Sequence, residues 1–279
     1  MIVPQKNTSI SFLLIILATF LGSCKKDAGE ANPVANFRLS YGDSVLYQKD
    51  SRTDYLVSPA NSDTGTYSAF PEGIEIDENT GVINVSKSEM GLRYKISFIR
   101  NSDSKTYNTT VLLSGINYLD AFYYLSKNDT VASPIYNGNV QNAIPVGSSG
   151  TSFDIDQGCN NEGIAVNPKN GRINLIQTIR NGFFRRHSDN YKRGEFELNY
   201  RIDDDSHRSL NGLKIKLYYF ETINDVTSDL IQLINDRQGT LFSANTNHLS
   251  GEILSSANQV IGATQAARPR PPCIFIIGR

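Results

Sequence analysis

Residues 73–85 read Gly73-Ile-Glu-Ile-Asp-Glu-Asn-Thr-Gly81-Val-Ile83-Asn-Val85, and the chain repeats the phrase at 163–175 as Gly163-Ile-Ala-Val-Asn-Pro-Lys-Asn-Gly171-Arg-Ile173-Asn-Leu175. At a constant offset of 90 both glycines, the first Ile, the later Ile and the Asn after it are identical. β-Branched residues flank a polar stretch closed by glycine, the pattern of strand, tight turn, strand. Gly81 and Gly171 stand where the turn calls for a positive φ that other residues adopt at a cost. The chain therefore uses one hairpin twice.

Working outward, each hairpin is followed by runs that alternate apolar and polar side chains. The first copy has Tyr94-Lys-Ile96-Ser-Phe98-Ile-Arg100 and then Tyr107 to Ile116; the second has Phe196-Glu-Leu198-Asn-Tyr200-Arg-Ile202 and then Leu213-Lys-Ile215-Lys-Leu217-Tyr-Tyr219. A period of two puts one face on a core and the other toward water, as in antiparallel sheets. Polar turns separate the runs, Asn101–Ser104 in one copy and Asp203–Ser206 in the other. The same order of elements occurring twice predicts an all-β chain of two tandem β-sandwich domains, 34–116 and 117–222.

The hairpin phrase resembles the cadherin-like and immunoglobulin-like repeats of bacterial surface proteins, in which an apolar-x-Ile-Asp-x-x-Thr-Gly-x-Ile phrase precedes an alternating strand. Ile74 to Val85 matches it closely; Ile164 to Leu175 matches it loosely, with Asn170 at the Thr position. The resemblance implies Ig/cadherin-like sandwiches and a role in adhesion or binding. Calcium-binding cadherins carry an acidic cluster shortly after the hairpin, whereas here the stretches are Ser86–Gly91 and Thr178–Gly182. Calcium is not carried over, and neither a metal nor a cofactor is expected.

The N-terminus carries an address. Residues 1–23 hold a single charge, Lys6, and an apolar run from Ile10 to Leu21. That is about 12 residues where a bilayer span needs roughly 20, so 1–23 reads as a secretory signal. Leu21-Gly22-Ser23-Cys24 resembles the lipobox of bacterial lipoproteins, which implies that Cys24 is acylated and begins the mature chain. Acyl chains hold a folded chain to a membrane without a spanning helix. The absence of Asp directly after Cys24 resembles lipoproteins sent to the outer membrane. The tether 24–33, with its Lys25-Lys26-Asp27, resembles surface-exposed lipoproteins of the Bacteroidetes type, and the face of the membrane stays open.

Beyond residue 222 the period changes. Ile223, Val226, Leu230, Leu233 and Ile234 fall three and four apart, which predicts an amphipathic helix over 225–237. A polar stretch, 240–266, and a stiff Arg268-Pro-Arg-Pro-Pro272 lead to the apolar run Cys273-Ile-Phe-Ile-Ile277. Exposed, such a run invites aggregation, so it is expected to complete a sheet of the second domain or to pair with a partner chain. The whole of 223–279 is grouped with the second domain.

With Cys24 acylated, Cys159 and Cys273 remain as an even pair, a candidate disulfide in an oxidising compartment. The three histidines, His187, His207 and His248, do not have metal-ligand spacing. Asp154/Asp156 and Asp203/Asp204/Asp205 are acidic turns that could serve hydrolysis only if two carboxylates faced one another. Tyr118, Tyr123, Tyr124 and Tyr136 crowd the start of the second domain, where exposed rings would stack on a sugar or a protein. A basic segment, Arg180 to Arg193, is expected in a long turn. With 27 Lys and Arg against 28 Asp and Glu, no field points to nucleic acid. The reading is a membrane-anchored, non-enzymatic adhesion, spacer or binding protein whose partner is a protein or a glycan. Its alternatives are an accessory glycan-binding lipoprotein of a polysaccharide-uptake system and a hydrolase using the acidic turns.

Overall fold

The computed structural model describes residues 37–148, 150–186, 193–238 and 270–279. The signal, Cys24 and the tether, and also His187, His248 and the polar stretch 240–266, lie outside the described residues. Arg38–Arg279 forms one compact unit. Its described part is all-β, with a few short helices.

In the first half the strands are β1 (Val45–Leu46), β2 (Leu56–Val57), β3 (Gly65–Phe70), β4 (Glu75–Ile76), β5 (Ile83–Asn84), β6 (Leu92–Arg100) and β7 (Thr106–Leu113). They form a four-stranded sheet in the order β1-β7-β6-β3 and a three-stranded sheet in the order β2-β5-β4. β8 (Ile116–Asn117), β9 (Ala121–Tyr124), β10 (Val131–Ala132), β11 (Ile135–Tyr136), β12 (Ser152–Phe153), β13 (Ile173–Asn174), β14 (Arg193–Arg201), β15 (Asn211–Phe220) and β16 (Cys273–Ile277) complete the chain. Here the main sheet has five strands in the order β12-β14-β15-β16-β9.

The two hairpins close identically. Gly81 N–H donates to the Asp77 carbonyl (2.8 Å) and Asp77 N–H to that of Val82 (2.9 Å); Gly171 N–H donates to Asn167 (2.9 Å) and Asn167 N–H to Arg172 (2.9 Å). Both glycines have φ +70°, and an aromatic ring from the adjoining sheet lies on each, Tyr67 on Gly81 and Phe153 on Gly171. Ile74, Ile76, Ile83 and Val85, with Ile164, Val166, Ile173 and Leu175, are buried. Each contributes about 1.5–3 kcal/mol of apolar burial. In the second copy the leading strand shrinks to a single bridge, Val166 to Ile173. The second hairpin then runs directly into a helix, Leu175–Arg180, because the Asn174 side chain caps it by accepting from Gln177 N–H (2.9 Å).

Gly171→Ala is expected to lower stability by about 2 kcal/mol, because its Cβ would adopt a left-handed φ and meet the Phe153 ring at 2.8 Å. Gly150 has φ +77° with nothing within 4 Å of an added Cβ, so Gly150→Ala should cost only about 1 kcal/mol. Chemical denaturation of the two variants checks the difference.

The alternating runs become β6 and β14, with every second side chain buried. On one face of the five-stranded sheet Leu198, Leu213, Ile215, Leu217, Ile274 and Ile276 join a core with Tyr118 and Phe183. On the other face Tyr218, Phe220, Cys273, Phe275 and Ile277 pack against Val226 and Ile234. The helix carrying Ile234 runs Ser228–Gln238 and starts later than its periodicity suggests. Thr222 and Asp225 form a capping box on a separate 3-10 turn, Ile223–Asp225. Among the described residues no helix is long and apolar enough to cross a membrane.

Candidate functional site

The tyrosines named as candidates for ring stacking are structural. Tyr118 is fully buried and its hydroxyl donates to the Gly171 carbonyl, tying it to the second hairpin. Tyr123 and Tyr136 are 7% and 8% exposed, and Tyr136 donates to Asp204 Oδ2 (2.8 Å). Burial raises all three phenols above their ordinary range. Tyr124 is partly buried beside Phe122 and under Lys127. These rings do not form an open surface, so the ring-stacking basis for glycan binding is removed. Tyr118 and Tyr123 pack in the core on one face of the five-stranded sheet, a fact that tyrosine content alone does not reveal.

The candidate disulfide does not form in the structure. Cys159 and Cys273 are separate buried thiols. Cys159 belongs to the core on one face of the five-stranded sheet and Cys273 to the core on the opposite face, so the sheet itself lies between them. Burial pushes the Cys159 thiol well above its ordinary value and that of Cys273 to about 11. Neither is poised as a nucleophile.

The acidic turns serve as hydrogen-bond acceptors for the backbone and side chains that shape the loops. Asp154 is buried and accepts from Cys159 N–H (2.7 Å) and Asn160 N–H (3.1 Å), whereas Asp156 is exposed. Asp204 accepts from Ser206 N–H (2.9 Å), Tyr136 and the Ser114 hydroxyl (3.1 Å), joining the second half to the end of the first. A carboxylate pair facing across a cleft, as hydrolysis needs, is not what these residues make. Among the described residues there is no group of three or more His, Cys, Asp or Glu suited to a metal ion. His207 sits exposed at φ +52° in the turn after Asp204. Arg180 and Arg185 are exposed on the short helices Leu175–Arg180 and Phe183–Arg186 rather than in a turn.

A shallow hollow of about 350 Å³ lies beside the second hairpin, lined by Asn160, Val166, Asn167, Arg172 and Gln177 among others. Its amides already have partners: Asn160 Nδ2 donates to the Val166 carbonyl (3.0 Å) and Gln177 Nε2 to Asn181 Oδ1 (2.7 Å).

The most constructed polar arrangement surrounds the entry of β16, and sequence reasoning did not find it. Glu89, from the first half, accepts from Asn117 Nδ2 (3.1 Å) and from Arg270 N–H (2.9 Å). Asp120 accepts from Cys273 N–H (2.7 Å) and from Arg237 Nη1 (3.0 Å), and that same Nη1 donates to the Pro271 carbonyl (3.0 Å). The Asp120 and Arg237 side chains are 4% and 12% exposed, so each needs the other to offset its lost hydration. Burial lifts the Glu89 carboxyl to about 7, against the pull of Arg270 and Asn117. Nothing in the local sequence marks these four residues, since they come together from positions 89, 120, 237 and 270.

The chain matches no family model, and no curated protein matches it. Among solved structures it is similar to human protocadherin-24 EC1-2, at 12% identity over 65% of this chain and 94% of that one, with a TM-score of 0.24. It is also similar to Drosophila N-cadherin EC1-4, at 11% identity over 63% of this chain and 46% of that one, with a TM-score of 0.18. At such scores neither similarity carries an argument, and the all-β assignment rests on the chain's own strands and pairings.

Proposed function

We propose that this chain is a lipid-anchored, non-enzymatic protein of a bacterial cell envelope, held by Cys24 in the outer membrane and acting as an adhesion, spacer or binding module. Its two β units, 34–116 and 117–222 with 223–279 packed on the second, follow the cadherin-like and immunoglobulin-like repeats that the hairpin phrase resembles. The observation that carries the reading is the combination of a lipobox-like Leu21–Cys24 with a duplicated hairpin, in a chain where Asp154, Asp204, Tyr136 and the two buried thiols serve the fold.

Mass spectrometry of the mature N-terminus checks the anchor. The expected species begins at Cys24 and carries acyl chains, and Cys24→Ser should release the protein from the membrane fraction. An unmodified Cys24 in the mature chain would sink the reading.

A further inference from the structure

The two hairpins share one backbone and carry opposite charge. Residues 73–85 hold Glu75, Asp77 and Glu78 and no cation, whereas 163–175 hold Lys169 and Arg172 and no acid. Both turns close through the same backbone hydrogen bonds, with φ +70° at the glycine. The turn itself therefore requires neither set of charges.

The copies also differ in what covers the hairpin. In the first, Asn84 Nδ2 donates to Asp54 Oδ2 (2.8 Å) and Glu75 Oε1 (3.0 Å), and Lys87 Nζ pairs with Asp54 at 3.0 Å. Ninety positions on, Ala165 stands in place of Glu75 and Gln177 in place of Lys87. The hollow of about 350 Å³ lies there, bounded by Ala165, Asn174, Gln177 and Arg172 among others. A second hollow, of about 250 Å³, shares Arg172 with it and includes Lys169 and Asn170. Among the described residues no carboxylate lines either one.

The rim of the pair is rich in donors. Asn167, Asn170 and Asn174 each use the side-chain oxygen to accept a backbone N–H, from Lys169 (2.9 Å), Arg172 (3.1 Å) and Gln177 (2.9 Å). That fixes the orientation of each amide and leaves its Nδ2 without a partner among the described residues. The Lys169 ammonium and the Arg172 guanidinium are likewise unpaired there, and all five residues are exposed. Such a rim matches a ligand of acceptors that carries negative charge. Each hollow adds an aliphatic side, Val131 and Val166 in one, Ile144 and Val146 in the other. A sugar ring offers that combination, a C–H face with oxygens around its edge. Two hollows flanking one guanidinium suit consecutive rings with an acid group between them.

We propose that the second hairpin is a binding site for an acidic polysaccharide, with Arg172 between two sugar subsites and Lys169 in the second. This deepens the binding role proposed above and rests on it, without drawing on the lipid anchor.

The first hairpin supplies the test variant. Lys169→Asn combined with Arg172→Val introduces the residues found at Asn79 and Val82, in a turn that closes identically. The full chain, in non-ionic detergent, is titrated into a fluorescent oligogalacturonate and a fluorescent sulfated oligosaccharide and followed by anisotropy. Binding to at least one is expected, and the one bound identifies the anion as uronate or sulfate. The double variant should weaken it about tenfold or more, with its circular dichroism unchanged. Should the double variant lose its thermal transition, Arg172→Gln alone carries the same expectation. No binding to either saccharide, an unchanged affinity in the variants, or equal binding of neutral dextran or polyglutamate overturns the proposal. Such a failure leaves the anchor standing, since mass spectrometry of the N-terminus tests it separately, and leaves a spacer role that needs no ligand.

Discussion

Phe275→Asp is expected to abolish the cooperative folding of the compact unit Arg38–Arg279. Phe275 sits at the centre of β16 with no exposure, stacked on Tyr218 at 4.6 Å between ring centroids and tilted against Phe122 at 5.3 Å. Removing a buried aromatic ring alone costs about 3–5 kcal/mol. A carboxylate there would lie in an apolar and aromatic cluster with Tyr218, Phe220 and Ile234, and burying a charge in such surroundings adds several kcal/mol more. Since a domain is stable by only about 5–15 kcal/mol in total, the sum exhausts the margin. Thermal unfolding followed by circular dichroism should lose its transition, while Val146→Asp, at a site 72% exposed, should leave it in place. A Phe275→Asp protein with an unchanged transition would show that β16 does not belong to the folded sheet.

The second large effect is a fall in stability as pH rises from 5 to 8. The Glu89 carboxyl has an ordinary value near 4.5 and is held at about 7 in the folded protein, chiefly by burial. Between these values the native state binds the proton that the unfolded chain has released. Its stabilising contribution is therefore complete below about 4.5 and is lost as pH climbs through about 7. The difference corresponds to about 3 kcal/mol. Glu89→Gln keeps an acceptor for Arg270 N–H and cannot ionise, so its stability should be nearly flat over the same range. Urea titrations of both proteins at pH 5 and pH 8 make the comparison. Equal pH dependence in the two would refute the assignment. This window also avoids Asp103, whose carboxyl the Arg100 guanidinium holds below the usual carboxylate range, so that its contribution disappears only in stronger acid.

Local pattern is a good guide where local forces decide. Gly81 and Gly171 announce their turns because few residues tolerate φ +70°, and the alternating runs around Tyr94 and Phe196 become β6 and β14 because a pleated strand has no other way to bury one face. The pattern misleads at Tyr118, Tyr123 and Tyr136, because a tyrosine reads the same whether its ring faces solvent or a core. It misleads at Cys159 and Cys273 too, since pairing depends on which side of a sheet each residue occupies.

The amino-acid sequence by itself determined the duplicated hairpin, the all-β character, the late helix and the apolar strand Cys273–Ile277, each a matter of backbone preference and side-chain period within a dozen residues. Only the tertiary structure decided that this strand enters between β15 and β9, that the two thiols fall on opposite faces of the sheet it completes, and that Glu89, Asp120, Arg237 and Arg270 meet at its entry. Those outcomes rest on pairings between residues more than 50 positions apart. Such contacts are selected by the burial and hydrogen bonding they jointly satisfy, and no segment carries that information alone.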